Sequence, residues 1–156
     1  MLSSAYAIAN EVVSREYQLK TAYLLHFAEL TEWPETTSVT ICLQGNSPLR
    51  AYLPALEGLK VDDQTMHVIL EGASSAKKCQ ILFVSDPRFL TKSLLTKAKS
   101  QHTLLVSDTD DFARNGGMIQ FTLRDNKLKL VVNLTSVKEA GLKLSSKLLR
   151  MAEILE

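Results

Sequence analysis

Long apolar runs are missing from this 156-residue chain: none approaches the roughly 18 residues that a membrane-spanning helix requires. A surplus of one charge is missing too, because 18 basic residues meet 17 acidic ones and leave a net +1. That balance gives no electrostatic reason to expect nucleic acid or an acidic membrane surface as partner, and with no long apolar run no direct membrane insertion is expected. Reactive signatures are equally thin. There is no GxSxG elbow, no phosphate-binding P-loop and no HExxH helix. The three histidines, His26, His67 and His102, stand at no metal-ligand spacing to one another, to cysteine or to a carboxylate. The carboxylate-rich turns Asp62-Asp63 and Asp108-Thr109-Asp110-Asp111 lack the further ligands that would fix a divalent ion. No catalytic residue, metal site or cofactor is expected.

What is present is the patterning of one α/β domain. Hydrophobic residues make up 46% of the chain, enough to bury a core at this length. Over residues 12–33 the spacing predicts a helix with Val13, Tyr17, Leu24, Phe27 and Ala28 on one face and Arg15, Gln18, His26 and Glu29 opposite. Pro34 should stop it, since proline disfavours helical geometry in the residue before it. Residues 39–43 (VTICL), 79–84 (CQILFV) and 102–106 (HTLLV) are β-branched and apolar, as buried strands are. Gly45-Asn46-Ser47-Pro48 reads as a turn whose proline suits the first position of a helix reaching residue 56. Short strands are expected around Asp62-Asp63, a helix over residues 87–99, and a hairpin of residues 118–123 and 128–132 across Asp125-Asn126.

Two further helices are expected, over residues 136–140 and 145–155. The last would carry a stripe of Leu144, Leu148, Met151, Ala152 and Leu155. Strand–helix–strand units of these lengths predict an α/β fold, a mostly parallel twisted sheet with helices on both faces, extended by the C-terminal antiparallel hairpin. The one short repeat, VSD at residues 84–86 and 106–108, falls at strand ends, where Ser and Asp cap the next helix or turn.

Residues 1–10 stand apart from the domain expected over 11–156. Ala5-Tyr6-Ala7 and Ala7-Ile8-Ala9 have the small-x-small form of a signal cleavage site, without the basic region and long apolar core of a complete signal. The segment reads either as the end of a signal peptide or as a flexible N-terminus. Gly116-Gly117 precede a strand rather than a helix, so no helix N-terminus is offered to a phosphate. They read as a backbone device, a tight turn with positive φ that aims Met118-Ile119 into the sheet, and Asn115 tolerates the same region. Cys42 and Cys79 fall in or at the edge of expected buried strands. Two readings stay open for them: free thiols acting as small hydrophobes, or a bridge if the compartment is oxidising.

Several segments carry a resemblance through their order and spacing. They are Glu32-Trp33-Pro34, Ile41-Cys42-Leu43, Cys79-Gln80-Ile81-Leu82-Phe83-Val84, Leu105-Val106-Ser107-Asp108, Phe112-Ala113-Arg114-Asn115-Gly116-Gly117-Met118-Ile119, Val132-Asn133-Leu134 and Gly141-Leu142-Lys143-Leu144-Ser145-Ser146-Lys147-Leu148-Leu149. Together they resemble the YfiR family of bacterial periplasmic proteins. The resemblance implies a non-enzymatic regulator that binds the periplasmic sensory domain of an inner-membrane diguanylate cyclase and holds it inactive. Cyclic-di-GMP and biofilm formation would fall as a result. It further implies a homodimer and a redox-sensitive disulfide, with Cys42 and Cys79 where the family's bridge falls.

Members with a second cysteine pair carry it around the Gly-Gly-Met stretch. Ala113 and Gln120 stand there in this chain, so a second redox lever is not expected. A protein of this kind acts by presenting apolar surface to its partner. Trp33 on the first helix, and Leu148, Met151 and Leu155 on the last, are candidates for that interface as well as for the core. The alternative expectation is a small-molecule sensor with a pocket at the strand C-terminal ends.

Overall fold

Among the described residues, the aliphatic segments assemble into one sheet of eight strands, with a separate two-stranded ribbon. The computed structural model describes residues 4–35, 38–70 and 78–156, with side chains from Val13 onward. In chain order the elements are α1 (Ser4–Leu30), β1 (Thr31–Glu32), β2 (Ser38–Gln44) and α2 (Leu49–Tyr52), which tightens into a 3-10 turn at Leu53–Leu56. Then come β3 (Lys60–Val61), β4 (Gln64–Ile69), β5 (Ile81–Val84), a 3-10 turn at Pro87–Phe89, α3 (Lys92–Ser100) and β6 (Leu104–Ser107). The chain closes with β7 (Ile119–Arg124), β8 (Lys127–Asn133), α4 (Leu134–Glu139), β9 (Lys143–Leu144), α5 (Ser146–Leu149) and β10 (Ala152–Leu155).

The strand order is β10-β8-β7-β6-β5-β2-β4-β3. Strands β7, β6, β5, β2 and β4 run parallel to their neighbours in that central stretch, while β3 pairs antiparallel with β4 and β8 antiparallel with β7. The expected class, a mostly parallel α/β sheet with an antiparallel hairpin, is what the fold has. The hairpin closes on Asp125 and Asn126 at φ +52° and +62°. Both turn residues are left-handed, as a mirror-image two-residue turn requires to match the strand twist. Phe121 anchors α1 to the sheet: its ring lies 5.8 Å from Phe27, 6.0 Å from Tyr23 and 6.1 Å from Phe83. Burying these rings with Leu24, Ile41, Leu43 and Leu104 supplies the apolar driving force of the domain.

Three expectations are corrected. The first helix ends at Leu30, four residues before Pro34, because Thr31 and Glu32 leave it to pair with Leu144 and Lys143 of β9. It also begins at Ser4, so the backbone of residues 4–10 runs on into α1, and Val13 is 48% exposed rather than part of the buried face. The helix expected over residues 87–99 is split. Asp86 accepts from the Arg88 amide to form the 3-10 turn, and Thr91 then caps α3 by accepting from the Leu94 amide.

The third correction is the last helix. Only Ser146–Leu149 are helical, and Ala152–Leu155 form β10, pairing parallel with Leu130–Asn133 of β8. The reason is an edge. Without β10, the outer backbone groups of β8 would lack partners, and a strand satisfies them where a helix would not. Ala152 and Ile154 both pack against the core, a period of two that a helical reading of the stripe overlooks.

Candidate functional site

Where the parallel strands begin, side chains close the structure. Cys42 of β2 and Cys79, on the segment entering β5, are joined in a disulfide with their Cα atoms 5.9 Å apart. Both are buried. The Trp33 indole donates to the Gln80 carbonyl at 3.1 Å, the Thr40 amide donates to the Gln80 side-chain oxygen at 2.7 Å, and the Thr103 hydroxyl donates to the Cys79 carbonyl at 2.8 Å. These bonds satisfy polar groups that burial would otherwise penalise.

The Gly-Gly-Met loop shows two different reasons for its paired glycines. Gly116 has φ +105°, the left-handed region in which a side chain is strained. Gly117 does not; a Cβ there would lie 2.3 Å from the Phe112 ring, so its role is close approach. Asn115 keeps negative φ, and Asp111 is the nearby residue that turns left-handed at φ +59°. Met118 follows, buried, and its sulfur accepts from the Leu105 amide at 3.3 Å. That amide lies just before the β6–β7 register starts at Val106–Ile119. The loop is held from both sides: the Ala113 amide donates to Gln120 at 3.0 Å, and Asn133 donates to the Ala113 carbonyl at 2.8 Å. Ala113 and Gln120 are thus direct neighbours.

Where the strands finish, a buried cation appears that periodicity alone did not flag. Lys20 is 3% exposed, on the stripe of α1 that also carries Leu24 and Phe27. Its ammonium donates to Glu16 at 2.6 Å and to Asp108, just past β6, at 2.9 Å, and lies 4.5 Å over the Tyr17 ring. Burial pulls its pKa down, but the hydrogen bond to Glu16 and the charge of Asp108 outweigh that, and the pKa ends above the ordinary lysine value. Burial, partly offset by Lys20, raises the pKa of the Tyr17 phenol. An amine held protonated in this way is no nucleophile. The cluster fastens α1 to the end of β6, beside a cleft of about 240 Å³ also lined by Asp110 and Leu123. The available signal was a lysine at i+3 from Tyr17 and i−4 from Leu24, on an apolar helical face. Asp108, expected to cap, serves this lysine instead.

The candidate interface residues separate. Leu148 is fully buried and belongs to the core, and Trp33 is half-buried against it. Met151 is 43% exposed in the turn before β10, and Leu155 is half-buried on β10 itself, the outermost strand. The histidines do not converge. His67 meets Glu57 at 3.0 Å, His26 meets Glu29 at 3.7 Å, and His102 contacts the Ala140 carbonyl at 2.7 Å. Among the described residues no group of three or more His, Cys, Asp or Glu could hold a metal ion. Among them also, no helix is long and apolar enough to cross a membrane.

A scan against protein families matches residues 17–153 to the family described as YfiR/HmsC-like. The match takes in the disulfide, the Gly-Gly-Met loop, and Lys20 with its partner Asp108, while Glu16 lies one residue before it. A search of curated proteins finds none that matches.

Proposed function

The chain belongs to the YfiR/HmsC-like family, and from that premise we propose that it is a periplasmic, non-enzymatic regulator that binds the sensory domain of a membrane diguanylate cyclase. Binding holds the cyclase inactive and lowers cyclic-di-GMP and biofilm formation. The observation that carries the reading is the family match over residues 17–153. The Cys42–Cys79 bridge supports it, because structural disulfides persist in oxidising compartments. The small-x-small pattern within residues 5–9 also suits an exported protein.

In this reading the partner meets the β10 end of the sheet. Among the described residues β10 is the outermost strand of the sheet, and such an edge is a template for strand addition. Met151 and Leu155 flank it, and Trp33 contributes only what its packing leaves uncovered. The regulator works as a homodimer. Binding shifts the cyclase toward its inactive state only through tighter binding to that state.

Pull-down with the tagged protein from envelope extract tests the reading. Recovery of a membrane protein with a cyclase domain is expected, and Met151→Asp should weaken it about tenfold or more while leaving the melting temperature unchanged. Recovery of no cyclase would overturn the proposal. Sedimentation at micromolar concentration should give a species of twice the 17.3 kDa chain, and a 17.3 kDa species alone would overturn the dimer.

A further inference from the structure

The strand order reverses direction at β2. The chain moves from β2 to β4 on one side, then returns to place β5 and β6 on the other. In open α/β sheets such a reversal leaves a crevice beyond the strand C-terminal ends, where ligands bind. Here Gly45 and Ser85 crowd the middle of the crevice, since a Cβ on Gly45 would lie 2.4 Å from the Ser85 hydroxyl. Beside that closure, a cleft of about 350 Å³ opens between the end of β2, the 3-10 turn after β5 and the start of α3. Its size falls within the range of small-molecule sites, roughly 300–1,000 Å³.

The lining has two halves. Leu82, Leu94 and Phe89 form an apolar wall, and Phe89 remains 42% exposed, an unusual state for a large aromatic side chain on a turn. Arg88, Ser93 and Lys97 form the polar half. The cations are not equivalent. Arg88 is already bound to Asp86 through contacts of 2.6 Å and 3.0 Å, so its charge is largely answered. Lys97 takes part in no ion pair among the described residues, and α3 (KSLLTKAKS) contains no acidic residue to answer it. Its neighbour Lys99 pairs away from the cleft with Glu139. The Thr91 hydroxyl is spent on the helix cap, whereas Ser93, an exposed residue, lines the cleft. A solvent-exposed ammonium with no ion pair among the described residues, and a hydroxyl, beside an apolar wall suit a ligand with one anionic end and one apolar end.

We propose that this cleft binds a small organic anion, a carboxylate or phosphate monoester with an apolar tail. Lys97 is its charge anchor, Ser93 a hydrogen-bond donor, and Leu82, Leu94 and Phe89 hold the tail. The site is separate from the β10 surface assigned to the partner, and its test does not depend on the cyclase.

The test is an NMR titration of the isotope-labelled, oxidised protein with hexanoate, hexyl phosphate and the neutral isostere hexanamide. Saturable shifts confined to the Ser93 and Leu94 amides and the Leu82 and Leu94 methyls are expected with both anions at millimolar concentration. Hexanamide should bind about tenfold more weakly. Lys97→Gln should reduce hexanoate affinity about tenfold without changing the melting temperature, and Phe89→Ala should weaken the binding of both anions. Three results would each overturn the proposal: no saturable shift with either anion, equal binding of hexanamide, or unchanged affinity in Lys97→Gln.

Discussion

The end of the sheet where the parallel strands begin and the end where they finish are built differently. At the first, Trp33–Gln80, Thr40–Gln80 and Thr103–Cys79 join neighbouring segments through neutral hydrogen bonds, and Cys79 is tied covalently to Cys42 farther along β2. At the second, charged side chains do the fastening, through Lys20 with Glu16 and Asp108 and through Asp86 with Arg88, and clefts open between them. Neutral bonds in a buried setting leave nothing for a ligand to compete with. Ion pairs with partly exposed carboxylates keep solvent access and can be re-partnered. The closed end therefore sets stability, and the open end leaves surface free for recognition.

Breaking the staple should have the largest effect. A Cys42→Ala/Cys79→Ala variant should lose about 3–4 kcal/mol, the chain-entropy value for a bridge spanning 37 residues. For a chain of this length that is a fall of about 10 °C in melting temperature by calorimetry. The fold should survive, since a domain of this size has a core of its own. A fall under about 2 °C would remove the distinction between the two ends.

Next comes the charged fastening. Lys20→Met should cost about 2–3 kcal/mol in urea unfolding, because Glu16 and Asp108 would then face each other without a cation. Adding Glu16→Gln and Asp108→Asn should recover most of that loss. If the triple variant is as unstable as Lys20→Met, lost packing rather than unpaired charge sets the cost.

A smaller effect, about 1–3 kcal/mol, is expected for Gly117→Ala, where the new methyl must displace the buried Phe112 ring. Gly116→Ala, which meets only backbone strain, should cost about 1 kcal/mol. Thermal melts of the two variants check the order, and the reverse ranking would show that the loop does not depend on close approach at Gly117.

The smallest effect is with pH. The Lys20 pKa is raised on folding, so the stability it contributes is fully present below the ordinary lysine pKa and is lost only as pH rises through the folded value. The stability difference between wild type and Lys20→Met, as far as the ammonium sets it, should therefore be constant between about pH 7 and about pH 9. A difference that shrinks over that range would mean that the carboxylates have failed to hold the proton.

Much of the sheet was legible because VTICL, CQILFV and HTLLV are apolar runs too short for helices and rich in β-branched residues. The hairpin turn at Asp125-Asn126 was legible for a local reason as well, the tolerance of both residues for left-handed geometry. What was not legible depended on distant partners. Residues 152–155 become a strand only because β8 offers an edge, and Thr31-Glu32 leave the helix only because β9 is there to receive them. Lys20 is buried because Asp108, 88 residues away, returns to meet it. A helical wheel shows a lysine on an apolar face and cannot supply its counter-charge.

The regulator reading is tested most directly by cyclic-di-GMP itself. Its level is measured in a strain lacking this protein, in the wild type, and in the deletion strain carrying the protein either exported or confined to the cytoplasm. Deletion should raise cyclic-di-GMP several-fold, the exported protein should restore the wild-type level, and the confined protein should not. An unchanged level on deletion, or full restoration by the confined protein, would contradict repression of a cyclase from the periplasm.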